Sequence, residues 1–287
     1  MGFRRLRFMG VPRHNVDLDA IRAFIEDEGT KRINFASHHA DALRKIDDDE
    51  KLVGKLLLPF DEPFESIAKQ QLAMDRVLYP SKFGEKYYRQ IFSEDEFNKI
   101  KEFVDQYKDL VFLRDTLDLS VALSMHETEP EVRTVLGEHE FRVKYRSEQF
   151  DTKADFDALQ AEMQKRLEEL PYFKQADFIC AAPSSKPFMR DIIEGLKGFN
   201  FVDISEKVTW ENKNGSLKNV ETAGEKLDMV QSWGLKIDDE VDLNGKTVLL
   251  VDDMYQSGIT LQYIAMRMKE RGADRVFGMA LVKSLGN

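Results

Sequence analysis

The stretch Thr247-Val248-Leu249-Leu250-Val251, continued by Asp252-Asp253 and then by Met254-Tyr255-Gln256-Ser257-Gly258-Ile259-Thr260, constrains this chain more than any other. An apolar run of this length reads as a buried strand, and the small-residue loop after it opens a helix. The strand delivers two carboxylates to its carboxyl end, the edge at which open parallel sheets bind ligands. Ser257, Gly258 and Thr260 stand at the helix N-terminus, where free backbone N–H groups, the positive end of the helix dipole and two hydroxyls suit a phosphate. Gly258 lets the backbone approach closely. Carboxylates beside a phosphate would repel it, so Asp252 and Asp253 are expected to accept hydrogen bonds from sugar hydroxyls or to organise Mg²⁺. The implied ligand is a phosphorylated sugar.

The chain around this stretch changes texture at Pro171. Before it, from about residue 18 to 170, apolar residues recur at spacings of three and four. Asp17 is placed to cap a helix carrying Ile21, Phe24 and Ile25, with Gly29 to end it. Ser93 and Glu96 form a capping box ahead of Phe97, Ile100, Val104 and Tyr107, and Phe156, Leu159, Met163, Leu167 and Leu170 make a third apolar face. After Pro171, short apolar runs alternate with glycine-ended helices, the pattern of a parallel sheet with crossover helices. Strands are predicted at Phe178 to Ala181, Phe199 to Val202, Thr247 to Val251 and Val276 to Val282, and Gly198, Gly234 and Gly272 stand where helices end.

Two familiar motifs fail. A receiver domain also has a strand ending in two aspartates, but needs most of a domain downstream, and little chain follows Asp253. A Walker A loop needs a lysine at the helix start, which is missing here. The segment instead resembles the PRPP-binding signature of type I phosphoribosyltransferases. The resemblance makes Asp252 and Asp253 the ribose-binding acidic pair and Ser257, Gly258 and Thr260 the 5'-phosphate loop, in a substrate-binding run that also takes in Met254, Tyr255, Gln256 and Ile259. Gln256 stands where that family usually has Thr. Upstream, Thr134-Val135-Leu136-Gly137-Glu138 and Val143-Lys144-Tyr145-Arg146 resemble the opening of ComF-like, competence-associated phosphoribosyltransferases. Those proteins usually add cysteine pairs for a zinc finger, which this chain lacks.

By chain order, the resemblance puts Ala182-Pro183-Ser184-Ser185-Lys186-Pro187 at the pyrophosphate loop, with Ser184, Ser185 and Lys186 facing a dianionic leaving group and Arg190 a further turn away. It puts the polar stretch Lys207 to Lys218 at the flexible catalytic loop, where Lys213 or Lys218 would reach the pyrophosphate on closure. Trp210 would stack on a base or anchor that loop. The expected fold is α/β, a type I phosphoribosyltransferase-like parallel sheet at 130–287 preceded by a mainly helical region at 1–129. The implied activity is Mg²⁺-dependent transfer of phosphoribose from PRPP to an unidentified acceptor. Asp252, Asp253 and Lys186 form the catalytic set, with the aspartates meeting Mg²⁺ indirectly.

Composition narrows the partners. A net charge of -10 disfavours a polyanion-binding surface, so nucleic-acid contact would have to be local. One cysteine, Cys180, excludes an intramolecular disulfide and multi-cysteine metal sites, and in an apolar strand it reads as a buried small residue. No run of 18 apolar residues appears, so a cytoplasmic protein is expected. His126-Glu127 begins like a zinc-protease helix, but Pro130 takes the second histidine's place. His38-His39 after Ser37 read as a helix start, Asp47-Asp48-Asp49-Glu50 as a solvated turn, and Arg4, Arg5 and Arg7 as a small basic patch. Two rival readings use the same pocket: a non-catalytic sensor of PRPP or a nucleotide, and an effector subunit of a bacterial antiviral defence complex. Each gives the N-terminal region a protein partner. Homo-oligomerisation is left open.

Overall fold

The computed structural model describes residues 11–46, 51–82, 86–149, 151–217 and 220–286. Among them seven strands form a central sheet: β1 (Arg32–Asn34), β2 (Val111–Leu113), β3 (Leu119–Met125), β4 (Phe178–Ala181), β5 (Val202–Asp203), β6 (Thr247–Tyr255) and β7 (Arg275–Lys283). Their spatial order is β1-β2-β3-β7-β6-β4-β5. β3, β7, β6, β4 and β5 are mutually parallel, while β2 runs against both β1 and β3. In β6, Val251 pairs with Ala181 on one side and Met279 on the other, so the strand is central. The carboxyl ends of the parallel strands share one edge, and Asp252, Asp253, Ala181 and Lys283 lie on it.

The helices are α1 (Leu18–Glu26), α2 (Phe64–Leu72), α3 (Glu94–Gln106), α4 (Val135–Tyr145), α5 (Lys153–Glu169), α6 (Phe188–Glu194), α7 (Ala223–Trp233) and α8 (Ile259–Glu270). Val248 and Leu250 of β6 join the apolar cluster of α1, α7 and α8, whereas Leu249 and Val251 join that of α5 and α6. Helices on both faces are what allow the strand to be apolar throughout. Local signals set the helix ends. Asp17 accepts the Ala20 N–H at 2.8 Å and Ser93 accepts that of Glu96 at 3.2 Å. Thr222 and Glu225 close a reciprocal cap on α7, which Gly234 ends at φ 64°.

Ahead of residue 130 the structure corrects the expectation of a mainly helical region. Alongside α1, α2 and α3 it holds a four-stranded antiparallel sheet, ordered Leu43–Lys45, Gly54–Leu58, Tyr87–Ile91, Tyr79–Pro80, and it supplies β1, β2 and β3 to the central sheet. Gly54–Leu58 alternates buried and exposed residues with the strand period of two, and β2 and β3 are buried throughout. Runs this short carry no period that separates strand from helix. Residues 35–41 form turns in place of the helix expected after Ser37, whose hydroxyl donates to Asn34 Oδ1 at 2.9 Å. β5 starts later than expected, at Val202, and the Phe199 and Phe201 rings ahead of it stack on each other, centroids 5.1 Å apart. The polar stretch expected to be a mobile loop contains a strand, Val208–Trp210, paired antiparallel with Leu235–Ile237. Arg4, Arg5, Arg7 and the acidic block 47–50 lie outside the described residues.

One close approach seats α4 on the sheet edge. The His126 N–H donates to the Lys283 carbonyl at 2.7 Å, and a Cβ at Gly137 would lie 2.0 Å from the His126 carbonyl oxygen. Gly137→Ala should therefore destabilise by about 1–3 kcal/mol, the range for overpacking. Gly224→Ala, where a Cβ meets nothing within 4 Å, should be neutral or gain up to about 1 kcal/mol from helix propensity. Urea midpoints of the two variants provide the check.

Candidate functional site

The two aspartates leave the sheet in different directions, as successive strand residues do. Asp253 turns toward α4, where Lys144 Nζ lies 2.8 Å from its Oδ2 and 2.8 Å from Glu140 Oε1. Glu140 is fully buried, and its other oxygen lies 3.5 Å from His126 Nε2. Burial alone would lower the Lys144 pKa, but the Asp253 and Glu140 carboxylates outweigh it and hold the ammonium above its ordinary value. Burial likewise works to raise Glu140, and the neighbouring His126 and Lys144 bring it below the usual carboxylate value. Among the described residues no cation forms an ion pair with Asp252. Burial, reinforced by the charge of Asp253, pushes its carboxyl well above the ordinary range, and its Oδ1 accepts the Asp253 N–H at 2.9 Å.

Asp252 and the residues Met254 through Thr260 line one small cleft of ≈ 60 Å³, completed by Leu217 and Lys226. Gly258 precedes α8 in the left-handed conformation, φ 74°, and a Cβ there would meet Tyr255 Oη at 2.1 Å. Tyr255 lines this cleft, yet its hydroxyl is engaged elsewhere, donating to Asp115 Oδ2 at 2.9 Å. The other Asp115 oxygen accepts the Leu117 N–H at 2.9 Å and the Ser120 hydroxyl at 3.0 Å. Burial pushes the Asp115 carboxyl up to about 6, with these hydrogen bonds pulling the other way.

A second cleft of ≈ 390 Å³ gathers Ser184, Ser185, Lys186, Arg190 and Lys213 beside Trp210. The Ser184 hydroxyl accepts the Lys186 N–H at 3.3 Å, and Lys186 Nζ donates to the Lys144 carbonyl at 3.1 Å. Arg190 pairs with Glu206 at 3.1 Å. Trp210 is the anchor of this wall. Its indole N–H donates to the Pro183 carbonyl at 3.0 Å, and its ring lies against Trp233 and Tyr263, centroids 5.3 and 6.2 Å away. Lys213 sits over the Trp233 ring at 5.4 Å. Lys218 lies outside the described residues. The described residues expected from sequence thus line two clefts, except Asp253, which lines neither, and Lys144 joins Asp253 to the second cleft by its ammonium at Asp253 and its carbonyl at Lys186.

Lys144, Glu140, Asp115 and Lys226 were not expected at the site. Lys144 stands in a stretch singled out only by resemblance, and the charge-bearing i, i+4 spacing of Glu140 and Lys144 on a helix is the signal that tied those two together. Asp115 sits in a turn with nothing in its neighbourhood to mark it. Cys180 is fully buried and its thiol is pushed up by burial and by Asp203, which suits a core residue. Among the described residues no three His, Cys, Asp or Glu side chains converge as a metal cage. The protein's share of a Mg²⁺ would be one or two carboxylates, a set that fits this ion when phosphate oxygens and water supply the rest.

Residues 150–284 match the phosphoribosyl transferase domain family. This span holds both clefts and begins after α4. No curated protein matches the chain. Among solved structures, a hypoxanthine-guanine phosphoribosyltransferase from Bacillus anthracis is similar at 17% identity, over 45% of this chain and 70% of that one, with a TM-score of 0.32. A hypoxanthine phosphoribosyltransferase from Staphylococcus aureus is similar at 15% identity, over 47% and 74%, with a TM-score of 0.30.

The Asp115 brace makes the fold sensitive to pH. Its carboxyl is raised from 3.8 to about 6, so it contributes stability fully present below pH 3.8 and lost as pH rises through 6. That shift corresponds to about 3 kcal/mol. Asp115→Asn abolishes the titration, so wild-type stability relative to the variant should fall by up to about 3 kcal/mol from pH 4 to pH 7.5 in urea denaturation. A pH-independent difference would show that burial does not disfavour the ionised carboxyl.

Proposed function

We propose that this protein is a ComF-like type I phosphoribosyltransferase that binds PRPP at the carboxyl edge of its sheet and transfers the phosphoribosyl group to an acceptor with release of pyrophosphate. The observation that carries the reading is one continuous unit within the family-matched span. Buried β6 ends in an acidic pair, and the loop after it presents the Ser257 and Thr260 hydroxyls at the N-terminus of α8.

In this reading the 5'-phosphate sits against that loop, where the helix dipole, the free N–H groups and Lys226 favour a dianion. Asp252 and Asp253 take the ribose hydroxyls. An Asp252 carboxyl that burial keeps protonated can donate a hydrogen bond as well as accept one. The bond from C1 to the pyrophosphate oxygen breaks, a bond from C1 to the acceptor forms, and the acceptor gives up its proton. Lys186 and Lys213 offset the charge that gathers on the leaving group. Mg²⁺, carried with the ligand's phosphate oxygens, would neutralise part of the same charge beside Asp252 and Asp253. No dedicated nucleophile is required.

Among the described residues no helix is long and apolar enough to cross a membrane. The reading takes the cytoplasm as the place of action. The sensor and the defence-complex effector share the binding step with the transferase and differ from it in the use made of the bound ligand.

The test is thermal unfolding of wild type and of an Asp252→Asn, Asp253→Asn double variant, with and without PRPP and Mg²⁺. Ligand at about 100 times its Kd should stabilise wild type by about 2.7 kcal/mol and leave the variant unmoved. Pyrophosphate release in the presence of an acceptor then separates a transferase from a sensor. No shift in folded wild type would overturn the reading.

A further inference from the structure

We propose that Lys144, paired with the buried Glu140, is a positioning residue for Asp253, holding that carboxylate in the orientation that receives the ribose hydroxyls. This rests on the sugar-phosphate reading above. It adds a part that lies outside the family-matched span, since Lys144 precedes residue 150.

A helix needs no such arrangement for its own stability. Glu140 and Lys144 stand four apart on α4 and already neutralise each other as an i, i+4 pair. The same ammonium nevertheless reaches a second carboxylate on another element at the same 2.8 Å, while its side chain is 12% exposed. A buried cation shared between two carboxylates has its direction fixed from both sides, so Asp253 Oδ2 is held and Oδ1 remains as the acceptor for a ligand. Glu140 is fully buried, and its other oxygen lies 3.5 Å from Nε2 of His126, whose backbone is bonded to the end of β7. The chain His126, Glu140, Lys144, Asp253 thus runs from one strand end to another through a single helix.

The ammonium also bears on charge. Asp252, Asp253 and an incoming phosphate would place like charges side by side, and one fixed cation at Asp253 reduces that repulsion before any ligand arrives. Lys144 is suited to this because its carbonyl also receives Lys186 from the other cleft, so one residue registers the sugar end against the pyrophosphate end.

The experiment is calorimetric titration of the full chain with two probes, ribose 5-phosphate, which engages the acidic pair, and inorganic pyrophosphate, which does not. Lys144→Met should weaken ribose 5-phosphate by about tenfold or more, the scale of a charge-assisted hydrogen bond, and leave pyrophosphate within about twofold. Lys144→Arg should recover part of the loss. Glu140→Gln, which keeps the shape of the clamp, should weaken ribose 5-phosphate in the same direction. On an Asp253→Asn background, Lys144→Met should add less than about twofold, because the two act as one unit. If Lys144→Met proves unfolded by thermal melting, Lys144→Arg and Glu140→Gln carry the comparison. Equal loss of both probes, or undiminished ribose 5-phosphate binding in a folded variant, would overturn the proposal while leaving the sugar-phosphate reading intact. Wild type that binds pyrophosphate and no ribose 5-phosphate would overturn that reading, and the proposal with it.

Discussion

A strand can be apolar on both faces only as far as helices cover both, and in β6 that cover is broken after Val251. Its first five residues are buried, and the next three are partly open. The two helical layers, the parallel neighbours and the long crossovers all serve to bury those five residues. The point where cover ends is the point where the chain can afford charge. Because neighbouring side chains alternate, the first two polar residues diverge at once, Asp252 into the cleft of the α8 loop and Asp253 toward α4. The position of the site is set by the limit of burial, with no further instruction needed.

Two adjacent carboxylates at the edge of a core are costly, and the structure deals with each differently. Asp253 has an ammonium at 2.8 Å. Among the described residues none pairs with Asp252, and burial with the neighbouring negative charge shifts it toward the protonated form. An interior of low effective dielectric makes both responses strong, since the same contact in water is worth about 1 kcal/mol. Removing one member of a buried ion pair typically costs about 3–5 kcal/mol because the partner is left uncompensated. The two carboxylates therefore differ in surroundings, Asp253 paired with Lys144 and Asp252 shifted toward its protonated form by burial and by the charge of Asp253.

How much of this was legible depended on range. β4 was expected at Phe178 to Ala181 and found there, and β6 and β7 only extend a few residues beyond the runs that marked them. The acidic pair and the loop to Thr260 were legible because strand, charge and helix start are contiguous. The N-terminal strands were not, since β2 is too short to show a period and β3 is buried on both faces, Ser120 and Ser124 included. Trp210 left its role open in sequence, and only the rings of Trp233 and Tyr263, 23 and 53 positions away in the chain, make it an anchor. Lys144 was visible as part of a motif and silent about its target, because nothing local says that a helix before residue 150 faces the end of a strand near residue 253.

That long-range closure bears on what the N-terminal part is for. The family-matched span starts at residue 150, yet the site inside it is braced from outside on both faces of the sheet. On the α8 side, Asp115 and Ser120 hold Tyr255, the ring over which Gly258 must pass. On the α4 side, Lys144 holds Asp253. A module merely appended to a catalytic domain would contact its surface and leave its polar groups satisfied without it. Here Asp253 is paired with Lys144, and the Tyr255 hydroxyl with Asp115, both of which precede residue 150. Geometry at the acidic pair is therefore tied to the packing of α4 and of the segment that carries Asp115.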